Sequence, residues 1–129
     1  MYLLDTCTLL WLAGNAHERL SAKTVQILKR HGDFLFVSSI SALEIGLKVG
    51  KGRLSLGIDP QTWFKRAVRA HGLHEIPVNG AIAAASTMLP PLHQDPCDRI
   101  LISTALQCGL VILSPDEHLS RYPEVQTLW

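Results

Sequence analysis

Apolar residues fall into two rhythms along this chain. Short unbroken runs occur at Tyr2-Leu3-Leu4, Phe34-Leu35-Phe36-Val37 and Leu110-Val111-Ile112-Leu113. They have strand length and no polar alternation, as expected of strands covered on both faces. Between them, apolar positions recur at helical spacing. Leu9-Leu10-Trp11-Leu12 stops at Gly14-Asn15, and Val25, Ile27 and Leu28 follow Ser21 as far as Gly32. Ser38 to Ser41 opens a helix through Ala42, Leu43, Ile45 and Leu47 that ends near Gly50. Asp59-Pro60 begins one through Trp63, Phe64, Ala67 and Val68, closed by His71-Gly72, with an N-cap acid and proline in the first turn. Asn79 to Met88 is an Ala-rich helix closed by Pro90-Pro91, and Asp95-Pro96 starts a helix running to Cys108-Gly109. Leu73 to Ile76 and Val125 to Leu128 complete the strands, and a helical turn follows Asp116. Strands alternating with helices across short loops predict an α/β domain over residues 1–129, with a mainly parallel central sheet of about five strands.

Four acids stand out against this pattern. Asp5 ends the first apolar run, and Asp116 follows the run at 110–113 through Ser114-Pro115. In parallel sheets ligands bind beyond the carboxyl ends of the strands, which is where both acids fall. Glu44 shares its helical spacing with Ile40, Leu43 and Leu47, so it is expected on an apolar face, either as a functional group or partnered by a buried cation. Asp98 shares a face with Leu101, Ile102 and Ala105, which points it inward. Each also has a plainer role open to it: Asp5 and Asp116 as N-caps, and Asp98 in a first turn that Asp95 caps. Together they are more specific. Converging carboxylates repel one another unless a cation neutralises them, and oxygen-only ligands favour Mg²⁺ or Mn²⁺, the setting of phosphodiester hydrolysis.

Bulk composition narrows the field. At 129 residues, 47% hydrophobic and 18% charged, the chain is large and apolar enough for a real core. No apolar run approaches membrane-spanning length, and a strand from residue 2 leaves no room for a signal peptide. Cys7, Cys97 and Cys108 form no CxxC pair, so the expectation is a reduced, cytoplasmic protein. Net charge is only +1. Lys48, Lys51, Arg53, Lys65, Arg66 and Arg69 nevertheless face a single acid, Asp59, over that stretch, either as a nucleic-acid surface or as ordinary solvated helix faces. Scattered histidines argue against a zinc site, with His93 standing apart, and no P-loop or GxSxG motif occurs.

The segments Leu3-Leu4-Asp5-Thr6, Ser38 to Ile45, Asp95-Pro96-Cys97-Asp98-Arg99-Ile100-Leu101-Ile102 and Leu113-Ser114-Pro115-Asp116 resemble the PIN-domain pattern, in its order and over essentially the whole chain. Gly46-Leu47-Lys48 and Gly52-Arg53-Leu54 resemble the helix-to-loop segment of small VapC-type toxins of toxin–antitoxin pairs. The resemblance implies a three-layer α/β/α PIN-like fold and a Mg²⁺- or Mn²⁺-dependent endoribonuclease. It further implies RNA as substrate, a cognate antitoxin as partner and a homodimer. Asp5, Glu44, Asp98 and Asp116 carry over as the acidic site, with the three aspartates as metal ligands and Glu44 as a further ligand or a base. Thr6 and Ser114 either orient water or phosphate oxygens or only cap helices. Arg99 either touches phosphate or pairs with Asp95. Ser114 replaces the family's frequent threonine, and Pro115 stiffens the approach to Asp116. A receiver domain would need adjacent acids near the first strand and a lysine late in the chain, yet none follows Lys65. An RNA- or protein-binding module without catalysis is the other reading, and retention of all four acids opposes it.

Overall fold

The computed structural model describes residues 1–129, with two α-helices between successive strands as far as the fourth strand. The elements are β1 (Tyr2–Leu4), α1 (Thr6–Ala13), α2 (Ala22–Arg30), β2 (Leu35–Ser38), α3 (Ser39–Gly50) and α4 (Pro60–Ala70). They continue with β3 (His74–Ile76), α5 (Gly80–Thr87), α6 (Pro96–Cys108), β4 (Val111–Leu113), α7 (Glu117–Ser120) and β5 (Thr127–Leu128). Single 3₁₀ turns occur at His17–Arg19 and Gly32–Phe34. All strand pairs are parallel, in the order β3-β2-β1-β4-β5. The chain leaves β1 toward β2 and β3 on one side and toward β4 and β5 on the other. The β1–β4 boundary is therefore the topological switch point, where a crevice opens at the carboxyl edge.

Register explains the layers. Leu4 aligns with Val37 and Leu113, and these three point to one face with Leu9, Ile27, Ile45 and Phe64. One residue earlier, Leu3 aligns with Phe36 and Ile112 and points to the opposite face, among Ile40, Leu101, Ile102, Leu119 and Tyr122. Leu3, Leu4, Ile112 and Leu113 are fully buried, each worth about 1.5–3 kcal/mol of apolar transfer. This two-sided cover is the three-layer α/β/α arrangement expected from the unbroken apolar runs.

The caps expected at Ser21, Asp59 and Asp95 form, each accepting from backbone N–H groups in the first turns of α2, α4 and α6, and Asn79 caps α5 in the same way. Gly109 ends α6 in the left-handed region at φ 66°, a conformation glycine takes without a Cβ penalty. Two expectations need adjusting. Phe34 lies outside β2 and is exposed, because the chain makes a 3₁₀ turn there. Val125 is buried in the core just before β5 and does not pair in the sheet.

Candidate active site

Asp5 and Asp116 emerge side by side at the switch point. Asp5 follows β1 and caps α1, its Oδ1 accepting from Thr8 N–H at 2.8 Å. Its Oδ2 accepts from the Ser114 hydroxyl at 2.5 Å, across the β1–β4 boundary. The same Ser114 oxygen accepts from Asp116 N–H at 3.0 Å, which locks the β4 exit against Asp5. Asp116 caps α7, and its Oδ1 takes both the backbone N–H and the ring Nδ1 of His118, each at 2.9 Å. Capping and site membership are thus compatible: the cap uses one oxygen and orients the carboxylate.

Glu44 and Asp98 come from helices. The hydroxyl of Thr6, at the start of α1, donates to Glu44 Oε1 at 2.5 Å and shares a 2.9 Å hydrogen bond with Ser41. Asp98, in the first turn of α6, holds His93 Nε2 at 2.6 Å through Oδ2. Glu44's charge reaches both Asp5 and Asp98 and raises their pKa values, which places it with them electrostatically. No protein group hydrogen-bonds Glu44 Oε2, Asp98 Oδ1 or Asp116 Oδ2. Each of these carboxylates has one oxygen held by the fold and one without a protein hydrogen bond. The tightest set of donor atoms is His93, Asp95 and Asp98, all within 4.8 Å of one another. The four acids are linked more loosely, Asp5 and Asp98 to Glu44 through charge and Asp5 to the Asp116 backbone through Ser114.

Residues 2–125 match the PIN domain family. The chain belongs to that family. Ribonuclease VapC22 of Mycobacterium tuberculosis is 28% identical over 98% of this chain and 97% of its own length. Among solved structures, VapBC2 from Rickettsia felis, bound to a DNA fragment from its promoter, superposes with a TM-score of 0.71. It is 15% identical and the match covers 98% of this chain and 96% of that one. FitAcB from Neisseria gonorrhoeae gives a TM-score of 0.68 at 18% identity, covering 100% and 97%. These structural likenesses establish the three-layer PIN fold.

The electrostatics of this PIN domain follow from crowding. Burial is the main force raising Asp5 above the ordinary carboxylate range, with Glu44 adding to it against hydrogen bonds from Ser114 and Thr8. Burial likewise lifts Asp98 to about 6, joined by Asp95 and Glu44, while the His93 contact opposes. At Asp116 burial pulls upward, but the His118 N–H and ring and the charge of His93 together bring it below normal. The nearby thiols are poor nucleophiles. Burial raises Cys7, and burial with Glu44, Asp95 and Asp98 pushes Cys97 up to about 11.

Several residues take positions that differ from the sequence expectation. Arg99 pairs with no acid: its Nη1 donates to the carbonyls of Pro90 and His93 and to the Tyr122 hydroxyl, and its Nη2 to Leu89 O. It shapes the loop before α6 in place of the expected pairing with Asp95. Thr6 and Ser114 are not the helix caps, which are Asp5 and Asp116; each hydroxyl is instead committed to a carboxylate. On α3, Leu43 and Leu47 are exposed, and the buried residues are Ile40, Ser41 and Ile45. Glu44 therefore sits at the margin of the core and not on an apolar buried face. His93 and His118, which the sequence left unassigned, contact Asp98 and Asp116. Only the two-residue spacing of Asp116 and His118 offered a signal for either.

Proposed function

We propose that this PIN-domain protein is a metal-dependent endoribonuclease, the toxin of a toxin–antitoxin pair, held in check by a cognate antitoxin and working as a homodimer in the cytoplasm. The observation that carries the reading is Asp5 and Asp116 joined through Ser114 at the sheet's carboxyl edge, with Glu44's charge acting on both Asp5 and Asp98, in a chain aligned end to end with a named ribonuclease. Both fold and chemistry point the same way.

The donor set fits a hard cation. All four ligands are carboxylates, three have an oxygen that the protein leaves free of hydrogen bonds, and burial raises Asp5 and Asp98, so that a positive partner would relieve their ionised forms. Asp5, Asp98 and Asp116 would hold Mg²⁺ or Mn²⁺, with Glu44 as a further ligand or the base. When bound, the cation supplies Lewis acidity, easing deprotonation of water and offsetting charge on the scissile phosphate. Ser114 fixes the direction of the Asp5 carboxylate across the crevice. Thr6 holds Oε1 of Glu44, which leaves Oε2 to accept a proton from the attacking water. Lys48, one helical turn beyond Glu44, has a charge that reaches Cys7 beside Asp5. With exposed Lys51 and Arg53 it would neutralise RNA phosphates flanking the cut.

The test is cleavage of RNA by purified, antitoxin-free protein in Mg²⁺, Mn²⁺ or EDTA, beside Asp5→Asn. Cutting that needs the metal and vanishes in the variant supports the assignment. RNA binding without cutting in either metal would overturn it in favour of a binding module.

A further inference from the structure

Asp98 and Asp116 share no hydrogen bond, yet a continuous path joins them. His93 Nε2 lies 2.6 Å from Asp98 Oδ2, and His118 Nδ1 lies 2.9 Å from Asp116 Oδ1. The two imidazoles stack with centroids 4.7 Å apart and planes 18° from parallel. A carboxylate at each end and two packed rings between them span the gap between α6 and the β4 exit.

The stack is held from behind. His93 lies in the irregular loop between α5 and α6, which has few hydrogen bonds of its own. Arg99 donates to Leu89 O at 2.8 Å, to Pro90 O at 3.1 Å and to His93 O at 3.0 Å, so one guanidinium gathers three carbonyls of this loop. The Tyr122 hydroxyl completes the clamp: it donates to Pro90 O at 2.9 Å and accepts from His93 N–H at 3.1 Å and from Arg99 at 3.2 Å. Tyr122 is fully buried, its ring packed in the core with Leu101, Ile102 and Leu119. A core residue thus fixes the backbone that carries His93. A loop needing only to connect two helices has no use for so many charge-assisted bonds converging on one backbone segment.

We propose that His93 is a positioning residue of this site: with His118 it sets the separation of Asp98 and Asp116, and Arg99 and Tyr122 are the clamp that holds it there. This rests on the metal-site reading above. Hydrogen-bond partners of ligating carboxylates characteristically govern affinity as well as rate, by about 10- to 100-fold.

The experiment is Mn²⁺ binding followed by EPR on the purified protein without RNA, for wild type, His93→Ala, His93→Gln and Tyr122→Phe. Thermal melts confirm that each variant is folded. His93→Ala is expected to weaken Mn²⁺ binding by about 10- to 100-fold. His93→Gln, whose amide N–H reaches near the Nε2 position, should recover most of that loss, a rescue that a purely structural role would not give. Tyr122→Phe keeps the buried ring and should weaken binding by a smaller factor, independent evidence if His93→Ala proves unstable. Binding in His93→Ala equal to or tighter than wild type would show that His93 merely occupies Asp98, and would overturn the positioning role alone. A wild type that takes up no Mn²⁺ would remove the metal site and the positioning role together.

Discussion

Replacing Asp5 separates its hydrogen-bonding geometry from its charge. Asp5→Asn keeps an oxygen to accept from Thr8 N–H, and asparagine caps helices as well as aspartate does. Its amide nitrogen faces Ser114, whose hydroxyl can turn to accept. Asp5→Ala loses both contacts. The missing cap costs about 1 kcal/mol, and the hydrogen bond that asparagine alone still makes to buried Ser114 is worth about 0.5–1.5 kcal/mol. Relief of the buried charge, and loss of the carboxylate that accepted from Ser114, are common to both variants and cancel between them. Alanine should therefore be less stable than asparagine by about 1.5–2.5 kcal/mol. At roughly 4 °C per kcal/mol for a chain of this size, that is a gap of about 6–10 °C in Tm. Against wild type, Asp5→Asn should melt at the same temperature or higher, since burial disfavours the ionised carboxylate. Neither variant should cut RNA. Circular dichroism melts without added metal, read beside a cleavage gel, give both quantities. Equal and large losses of Tm in the two variants, or cleavage retained by asparagine, would refute the reasoning.

Other perturbations have equally definite outcomes. Asp98 titrates at about 6 in the folded protein against 3.8 unperturbed, so its stabilising contribution is complete below pH 4 and is lost as pH rises through 6. The full difference corresponds to about 3 kcal/mol, and partial solvent access reduces it to about 1–2 kcal/mol. Melts in EDTA from pH 4 to 7 should fall more steeply for wild type than for Asp98→Asn. Thr6→Val removes the donor to Glu44 and a partner of Ser41, and should cost about 1–2 kcal/mol in urea titration. RNA cleavage by that variant should fall while its Mn²⁺ affinity changes less. Gly109→Ala forces a side chain into the left-handed region at the end of α6 and should cost about 1–2 kcal/mol with cleavage unchanged per folded molecule.

How far the sequence could be read depended on whether the signal was local. Strand runs and caps are local, and β1, β4 and the starts of α4 and α6 lie where Leu3-Leu4, Ile112-Leu113, Asp59-Pro60 and Asp95-Pro96 put them. Asp5 and Asp116 were legible as site candidates because parallel topology fixes which strand ends meet. Glu44 was reached by an argument that fails in detail. Spacing of three and four shows that Ile40, Leu43, Glu44 and Leu47 share one side of α3, but not whether anything covers that side. Thr6, which holds Glu44, is the contact that brings it to the crevice. His93 was not legible, since its approach to Asp98 depends on a loop folded back by Arg99 and Tyr122, the latter 29 residues away. The end of the chain shows the same limit: Trp129 packs edge-on against Trp11 at 5.6 Å, a tertiary contact no local pattern encodes.

Anomalous diffraction from crystals of the protein soaked in Mn²⁺ tests the metal assignment of Asp5, Asp98 and Asp116 most directly. Density should appear among the carboxylates of Asp5, Asp98 and Asp116, and should be absent from Asp5→Asn crystals soaked alike. Manganese bound only at His93 and Asp95, away from Asp5, or persisting among the acids of Asp5→Asn, would contradict it.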